Sequence, residues 1–359
     1  MTQVLSERPP AAGVAPLALR RARLPRWAPL LAGVLSLAAA GLLALLLGWG
    51  LVATVVVAAL LFLVGLPLWS RAVEGSRPAK DRLVTALVWS SLGIALIPLV
   101  SMLWKVVQVG APQIDARFLT WSMRNVVGEP GGIYHAIIGT LLITLTATVI
   151  SVPVGLLAAI YLVEYGGTSR LASSIRFLVD VMTGIPSIVA GLFAYALFSL
   201  LLGPGTQLAL GGGIALSLLM VPIVVRSTEE MLKLVPDELR EAAYALGVPR
   251  WRAIVKVVLP TALGGIVTGV TLAIARVIGE TAPLLIICGS TDSTNFNIFG
   301  GQMASIPVFI YSSYTQPGTQ PEISQGMAWG AAFVLVVIVM ALNLAARLVG
   351  RLLAPRRQR

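Results

Sequence analysis

Eight stretches of this chain are apolar for roughly 17 residues or more, the length at which a helix can cross the hydrocarbon core of a bilayer. They fall near 28–48, 51–70, 84–106, 134–163, 175–202, 211–227, 261–289 and 326–347. In water they would leave apolar patches that soluble monomers avoid. The composition agrees: 57% of residues are hydrophobic and 11% charged, against about 25% charged in a soluble domain. A backbone in lipid must satisfy its own polar groups, so each run is predicted to be helical. The expected fold class is an all-α, polytopic membrane helix bundle. The runs 134–163 and 175–202 are long enough for tilt or an interfacial stretch. Gly48-Trp49-Gly50 reads as a tight hairpin between the first two spans.

Charge sets the orientation. The basic segments 1–27, 71–83, 164–174, 228–260 and 348–359, with nearby Arg176 and Arg226, hold most of the 26 Lys and Arg. The intervening segments near 107–133, 203–210 and 290–325 carry Gly, Pro, Thr, Asn and Gln with few charges. Cytoplasmic loops collect positive charge, so eight spans with both termini inside are expected. The formal charge of +11 is therefore a topology signal rather than a nucleic-acid surface, which would interleave aromatic residues. The first apolar run exceeds the h-region of a signal peptide, about 7–15 residues, so it is read as a retained helix.

Several chemistries lack their residues. Cys288 is the single cysteine and His135 the single histidine, which leaves no multi-cysteine metal site, no HExxH pair and no expected cofactor. His135 is read as a polar residue near a helix end. A phosphate-cradling P-loop needs Gly-Lys before Ser or Thr; none of Lys80, Lys105, Lys233 and Lys256 follows a glycine. No catalytic residue is expected, and any ATP hydrolysis must come from another chain.

The cytoplasmic segment 228–260 is too long for a minimal connection. Pro236 with Asp237 and Glu238 suits a helix start, Gly247 a C-terminal stop, and Pro249 a second start. Pro260 ends this second helix or begins the next span. Leu239, Ala242, Ala243 and Leu246 recur at i, i+3, i+4, i+7, and the two alanines let another backbone come close. Such a face fits a groove on a partner, or lies on the bilayer.

Two charges interrupt the run 261–289. Arg276 stands about 22 Å along it by helical rise, and Glu280 follows four residues later, predicted on the same helix face. A charge at that depth costs about 2.5–3.5 kcal/mol on insertion scales. The two either form a structural ion pair or present a cationic fork to an oxyanion, which Arg binds bidentately. Asp180 is expected to cap or bridge helices, and Glu164 to sit at an interface. Pro98, Pro153, Pro186, Pro222 and Pro283 each mark a kink or a break lining a pathway.

Two sets of residues carry a family resemblance. Glu241-Ala242-Ala243, then Gly247, Val257 and Leu259-Pro260 resemble the EAA signature of ABC-importer permeases; Val257 replaces the usual Ile. Arg276-Val277-Ile278-Gly279-Glu280-Thr281-Ala282-Pro283-Leu284-Leu285, the stretch Ala159–Tyr165 and the stretch Gly184–Leu192 resemble PstA-type phosphate permeases. The resemblance implies a type I ABC importer permease with a six-helix core over 84–347, the hairpin 28–70 being extra, a basic tail at 1–27 and another at 348–359. It implies a translocation role for Arg276, Glu280 and Thr281, and a coupling role for Glu241, Ala242, Ala243, Gly247, Leu259 and Pro260. The partners it implies are a homologous permease subunit, cytoplasmic ATP-binding subunits and an extracytoplasmic phosphate-binding protein, in a bacterial or archaeal plasma membrane. Other readings are a permease for another oxyanion and, in a different class, a secondary transporter or channel.

Overall fold

The computed structural model describes residues 24–126 and 130–353, and every regular element among them is helical. The chain forms two compact units, one ending at Leu103 and the other beginning at Trp104.

The first unit holds α1 (Ala28–Leu47), α2 (Leu51–Val73) and most of α3 (Ser76–Lys105). The expected hairpin is present. α1 stops at Gly48, whose φ of 68° is left-handed and whose N–H bonds the Ala44 carbonyl, and α2 starts after Gly50. Ala32, Leu66 and Ala86 form a small buried core, with Phe62 and Leu63 packed on it. Most other apolar side chains face outward, as a lipid-facing surface requires. The expected basic loop 71–83 is corrected: only Glu74 and Gly75 lie outside helix. Arg77, Lys80 and Arg82 are good helix formers and extend α3 beyond its apolar run. Arg82 donates to Glu74 at 2.7 and 2.9 Å and fixes the turn.

In the second unit a π-helical turn (Val106–Gly110) and a 3₁₀ turn (Ala111–Gln113) follow α3, then α4 (Ala116–Thr120), capped by Asp115, which accepts from Phe118 N–H at 2.6 Å. α5 (Tyr134–Ile160) closes in a π-helical turn (Tyr161–Tyr165). Then come α6 (Arg170–Thr183), α7 (Ser187–Leu202), α8 (Ala209–Lys233), α9 (Asp237–Ala245), α10 (Arg250–Ala253), a π-helical turn (Ile254–Val258), α11 (Leu259–Val277), α12 (Ala282–Ile287), α13 (Ile306–Thr315) and α14 (Pro321–Leu353). α5 and α8 make the central packing. A Cβ on Gly213 of α8 would stand 2.5 Å from Thr146 Cγ2 on α5, the close approach small residues permit between membrane helices. Ile143, Leu216, Met220, Val224, Ala273, Val277 and Ile287 are buried around that contact.

Among the described residues seven helices are long and apolar enough to span, and the α6–α7 pair makes an eighth if counted as one. Three expected boundaries change. The run 175–202 is broken by a bend of 107° at Gly184-Ile185-Pro186, because Pro186 lacks an N–H and disfavours helix at the residue before it. The run 261–289 is also two helices, ending at Val277 and resuming at Ala282. α8 passes the expected end at 227 and runs to Lys233, so 228–233 is helix rather than loop. The tail expected over 1–27 lies mostly outside the described residues. α14 occupies 348–353 of the expected C-terminal tail, and the rest is outside them.

Candidate functional site

Two interruptions of helical backbone and a proline inside the continuous helix α8 meet at one cleft of ≈ 190 Å³. The α6–α7 bend contributes Thr183, Ile185 and Ser187; the middle of α8 contributes Leu219, Pro222 and Ile223; the end of α11 contributes Arg276, Val277 and Glu280. Pro222 has no N–H to offer the carbonyl of Leu218, one turn back. Past Val277 the chain turns, with Glu280 N–H bonding the Val277 carbonyl at 3.1 Å. Irregular backbone at membrane depth is tolerated where it lines a polar cavity, and this cleft gathers two such places beside the freed carbonyl in α8.

The expectation that Arg276 and Glu280 share one helix face is corrected. Arg276 is in the last turn of α11, and Glu280 lies beyond its end. Among the described residues the two form no ion pair. Arg276 is exposed and Glu280 half-buried, both on the cleft wall. Thr281 precedes α12 as its N-cap residue and is not part of that wall. An unneutralised arginine at this depth cannot face hydrocarbon cheaply. Its place is toward water, an anion or a polar partner.

Below the cleft on the α8 C-terminal side lies a charge network. Arg226, three residues past Ile223, donates to Asp180, three residues before Thr183. Asp180 thus bridges α6 and α8, as its expected inter-helix role required. Glu229 is buried beneath this pair, with Lys233 at 2.8 Å, Arg176 at 3.7 Å and Arg226 at 3.8 Å. Sequence reasoning counted these cations only as topology markers. The i−3 and i+4 spacing of Arg226 and Lys233 about Glu229 was a readable signal for part of it.

The coupling segment folds as α9, a turn and α10. Gly247 has φ +73°; its N–H bonds Tyr244, and Val248 N–H bonds Ala243 at 3.1 Å, closing the helix with a left-handed stop. Glu241 and Ala242 are exposed while Ala243 is buried, so the two alanines point different ways. Leu239 and Leu246 are 40% and 83% exposed, which leaves an apolar face available to a partner. The second short helix is not separate: α10 continues through the π-helical turn into α11, a span of 28 residues from Arg250 to Val277. Leu259 and Pro260 belong to the foot of that span. Glu164, expected at an interface, is instead buried and bound by Arg240 of α9 at 2.9 Å, a contact across 76 residues that no local pattern shows.

His135 is in the first turn of α5, buried edge-on against Phe309 at 5.7 Å, away from the cleft. Cys288 is buried in the core. Among the described residues there is no cluster of three metal-ligating side chains.

The family described as binding-protein-dependent transport system inner membrane component matches residues 151–359. The chain is 47% identical over 296 residues to phosphate transport system permease protein PstA 1 of Mycobacterium tuberculosis (strain ATCC 25618 / H37Rv), covering 82% of this chain and 94% of that one. The chain belongs to this permease family. It is 47% identical to PstA of Mycobacterium leprae (strain TN) over 269 residues, 74% of this chain and 86% of the relative. With PstA of Yersinia pestis it shares 40% identity over 284 residues, 78% and 92% of the two chains. An inward-facing structure of the MetNI methionine ABC transporter superposes with a TM-score of 0.49 at 20% identity, covering 62% of this chain and 94% of that chain. The permease motifs fall where the structure is irregular: the α6–α7 bend, the α11–α12 break and the α9 turn.

Proposed function

We propose that this chain is a permease subunit of an ATP-driven phosphate importer, part of the translocation pathway and driven by separate ATPase subunits. The observation that carries the reading is Arg276, exposed at the wall of the cleft and not paired with Glu280. An arginine so placed offers a tetrahedral oxyanion a bidentate contact. The named relatives are phosphate transport permeases, which selects phosphate among oxyanions.

In this reading a second, homologous permease subunit faces the cleft side of the bundle. A phosphate-loaded binding protein docks outside, and two ATPase subunits receive α9 below. Glu241, Ala242, Leu239 and Leu246 supply the exposed docking face, Gly247 sets its angle, and Leu259 and Pro260 carry movement into α11. Both termini are cytoplasmic, because the spans number eight with α6–α7 as one and both tails are basic. This reading takes the permease core as 84–347, preceded by the hairpin 28–70, while the compact units divide between Leu103 and Trp104. ATP-bound and empty ATPases must hold α9 differently for the bundle to switch.

Reconstitution in vesicles with the ATPase, the second permease and the binding protein tests this. Wild type should take up phosphate only with ATP, and Arg276→Gln should abolish uptake while the complex still assembles. Phosphate uptake that persists without any ATPase would make the chain a secondary transporter or channel. ATP-dependent uptake of a different oxyanion in place of phosphate would overturn the cargo.

A further inference from the structure

Arg240, the residue before Glu241, is held from three directions. Its Nη2 and Nε donate to Glu164 Oε1 at 2.9 and 3.1 Å, and its Nη2 also reaches the Leu232 carbonyl at 2.9 Å. Its Nη1 donates to the Val235 carbonyl at 2.7 Å and to Asp237 at 3.0 Å. The side chains of Arg240 and Glu164 are 13% and 3% exposed. Glu164 sits in the π-helical turn that closes α5, and the same turn is gripped again. Arg250, the first residue of α10, donates to the Glu164 carbonyl and stacks its guanidinium over Tyr165 at 4.9 Å.

Elsewhere α9 is loosely held by its own chain. Leu239, Ala242, Tyr244 and Leu246 are exposed, and Ala243 is its one buried residue. A force applied to α9 from outside has two exits. One is the chain itself, through α10 into α11. The other is the Arg240–Glu164 contact, into the end of α5 and, through Leu232 and Val235, into the end of α8. Buried charge-assisted hydrogen bonds are short and directional, and removing one partner strands the other charge. They transmit displacement better than the exposed apolar face does. α5 and α8 are the packed pair at the centre of the bundle, and α8 carries Pro222 at the cleft.

We propose that the Arg240–Glu164 ion pair is the positioning link through which movement of α9 reaches α5 and α8, and hence the cleft. The proposal rests on the permease reading above. Neither residue touches the cargo; both act through the helices they join.

The test uses the assembled transporter in vesicles, with phosphate uptake and ATP hydrolysis measured in the same preparation and ATPase co-purification as the assembly check. Glu164→Gln should retain the ATPase and hydrolyse ATP, while phosphate moved per ATP falls about five-fold or more, the range of a coupling free energy. Arg240→Lys should behave alike, because one ammonium cannot span Glu164 and both carbonyls. Unchanged uptake per ATP in Glu164→Gln overturns the proposal. So does loss of ATPase binding in both variants, which would make the pair purely structural. Wild-type vesicles that hydrolyse ATP without moving phosphate would sink the cargo reading alone. The link is then read from stimulation of hydrolysis by the loaded binding protein, which Glu164→Gln should lose and which, if kept, overturns it.

Discussion

Gly191 of α7 lies against Pro283 of α12 so closely that a Cβ at 191 would stand 2.6 Å from the Pro283 Cα. The two residues belong to two of the three resembling stretches, Gly184–Leu192 and Arg276–Leu285, and the fold brings those two into contact. Pro283 stands three residues past Glu280, just inside α12, so α7 packs against the far side of the α11–α12 break. The neighbour at 191 is backbone and cannot swing aside. Gly191→Val should force α7 and α12 apart, costing about 1–3 kcal/mol as an overpacked core does, and should lower both the thermal midpoint in detergent and phosphate uptake. Gly191→Ala should do the same to a smaller degree. A Gly191→Val protein as stable and active as wild type would mean that this contact does not set the break.

Glu280 shares the cleft with Arg276 without pairing to it, so its removal should not disturb the fold. Glu280→Gln keeps the side chain's size at a half-buried position with no ion pair to lose among the described residues, so it is expected to stay within about 1 kcal/mol of wild-type stability. The effect should fall on selectivity. A carboxylate can accept a hydrogen bond from a proton-bearing phosphate oxygen, which sulfate at neutral pH does not offer. Competition between phosphate and sulfate during uptake should show weaker discrimination in Glu280→Gln. Unchanged discrimination would remove Glu280 from cargo recognition.

Seven of the eight expected spans were legible because an apolar run of sufficient length has one use in a chain with so few charges; the eighth holds only if α6 and α7 count as one. The hairpin at Gly48 and the stop at Gly247 were legible because glycine at a left-handed position is a local requirement. The bend before Ser187 was not, because an apolar run reads alike whether straight or folded by 107°; Pro186 marked the place and not the angle. The same blindness put Arg276 and Glu280 on one face, since the i, i+4 rule presumes a helix that in fact ends between them. Arg240 with Glu164 and Asp180 with Arg226 are separated by 76 and 46 residues. Counting cations by segment assigns them a side of the membrane but no partner.

Glu229 and Asp180 both bind Arg226, and burial should separate their effects. The Glu229 side chain is 4% exposed and Asp180 is 59% exposed. Replacing Glu229 by Gln removes the charge-assisted contacts of a buried carboxylate, worth about 1.5–3 kcal/mol for a hydrogen bond to a charged group, while the cations left behind are partly exposed. Asp180→Asn removes an exposed pair, worth about 0–1 kcal/mol. Unfolding in detergent should rank Glu229→Gln well below Asp180→Asn and wild type. Equal stabilities for the two variants would contradict the burial argument.

Gly247 turns the chain between α9 and α10 at φ +73°, a conformation that costs other L-residues about 1–2 kcal/mol. No atom crowds the position where a Cβ would sit, so Gly247→Ala should fold with the strain relieved by a change of α9 angle. Co-purification of the ATPase should weaken while the membrane spans keep their stability. Full retention of the ATPase would show that the turn angle is not part of the docking surface.

Glu74 gathers the turn between α2 and α3. Its carboxylate accepts from Arg82 at 2.7 and 2.9 Å, from the Ser70 hydroxyl at 2.7 Å and from Leu24 N–H at 2.7 Å. The Arg82 guanidinium first, then Ser70 and Leu24, hold its pKa at about 2 against an ordinary 4.5, although burial pushes the other way. Protons therefore bind the unfolded chain more readily than the folded turn across that interval. The stabilisation is complete above pH 4.5 and is lost as pH falls toward about 2. Hydrogen exchange of the segment around Glu74, corrected for the intrinsic rate, should show protection falling over that window in wild type. Glu74→Gln should be poorly protected at neutral pH already, and nearly flat with pH. Protection in wild type that does not change down to pH 2, or a Glu74→Gln protein with the wild-type acid response, would show that this carboxylate does not hold the turn.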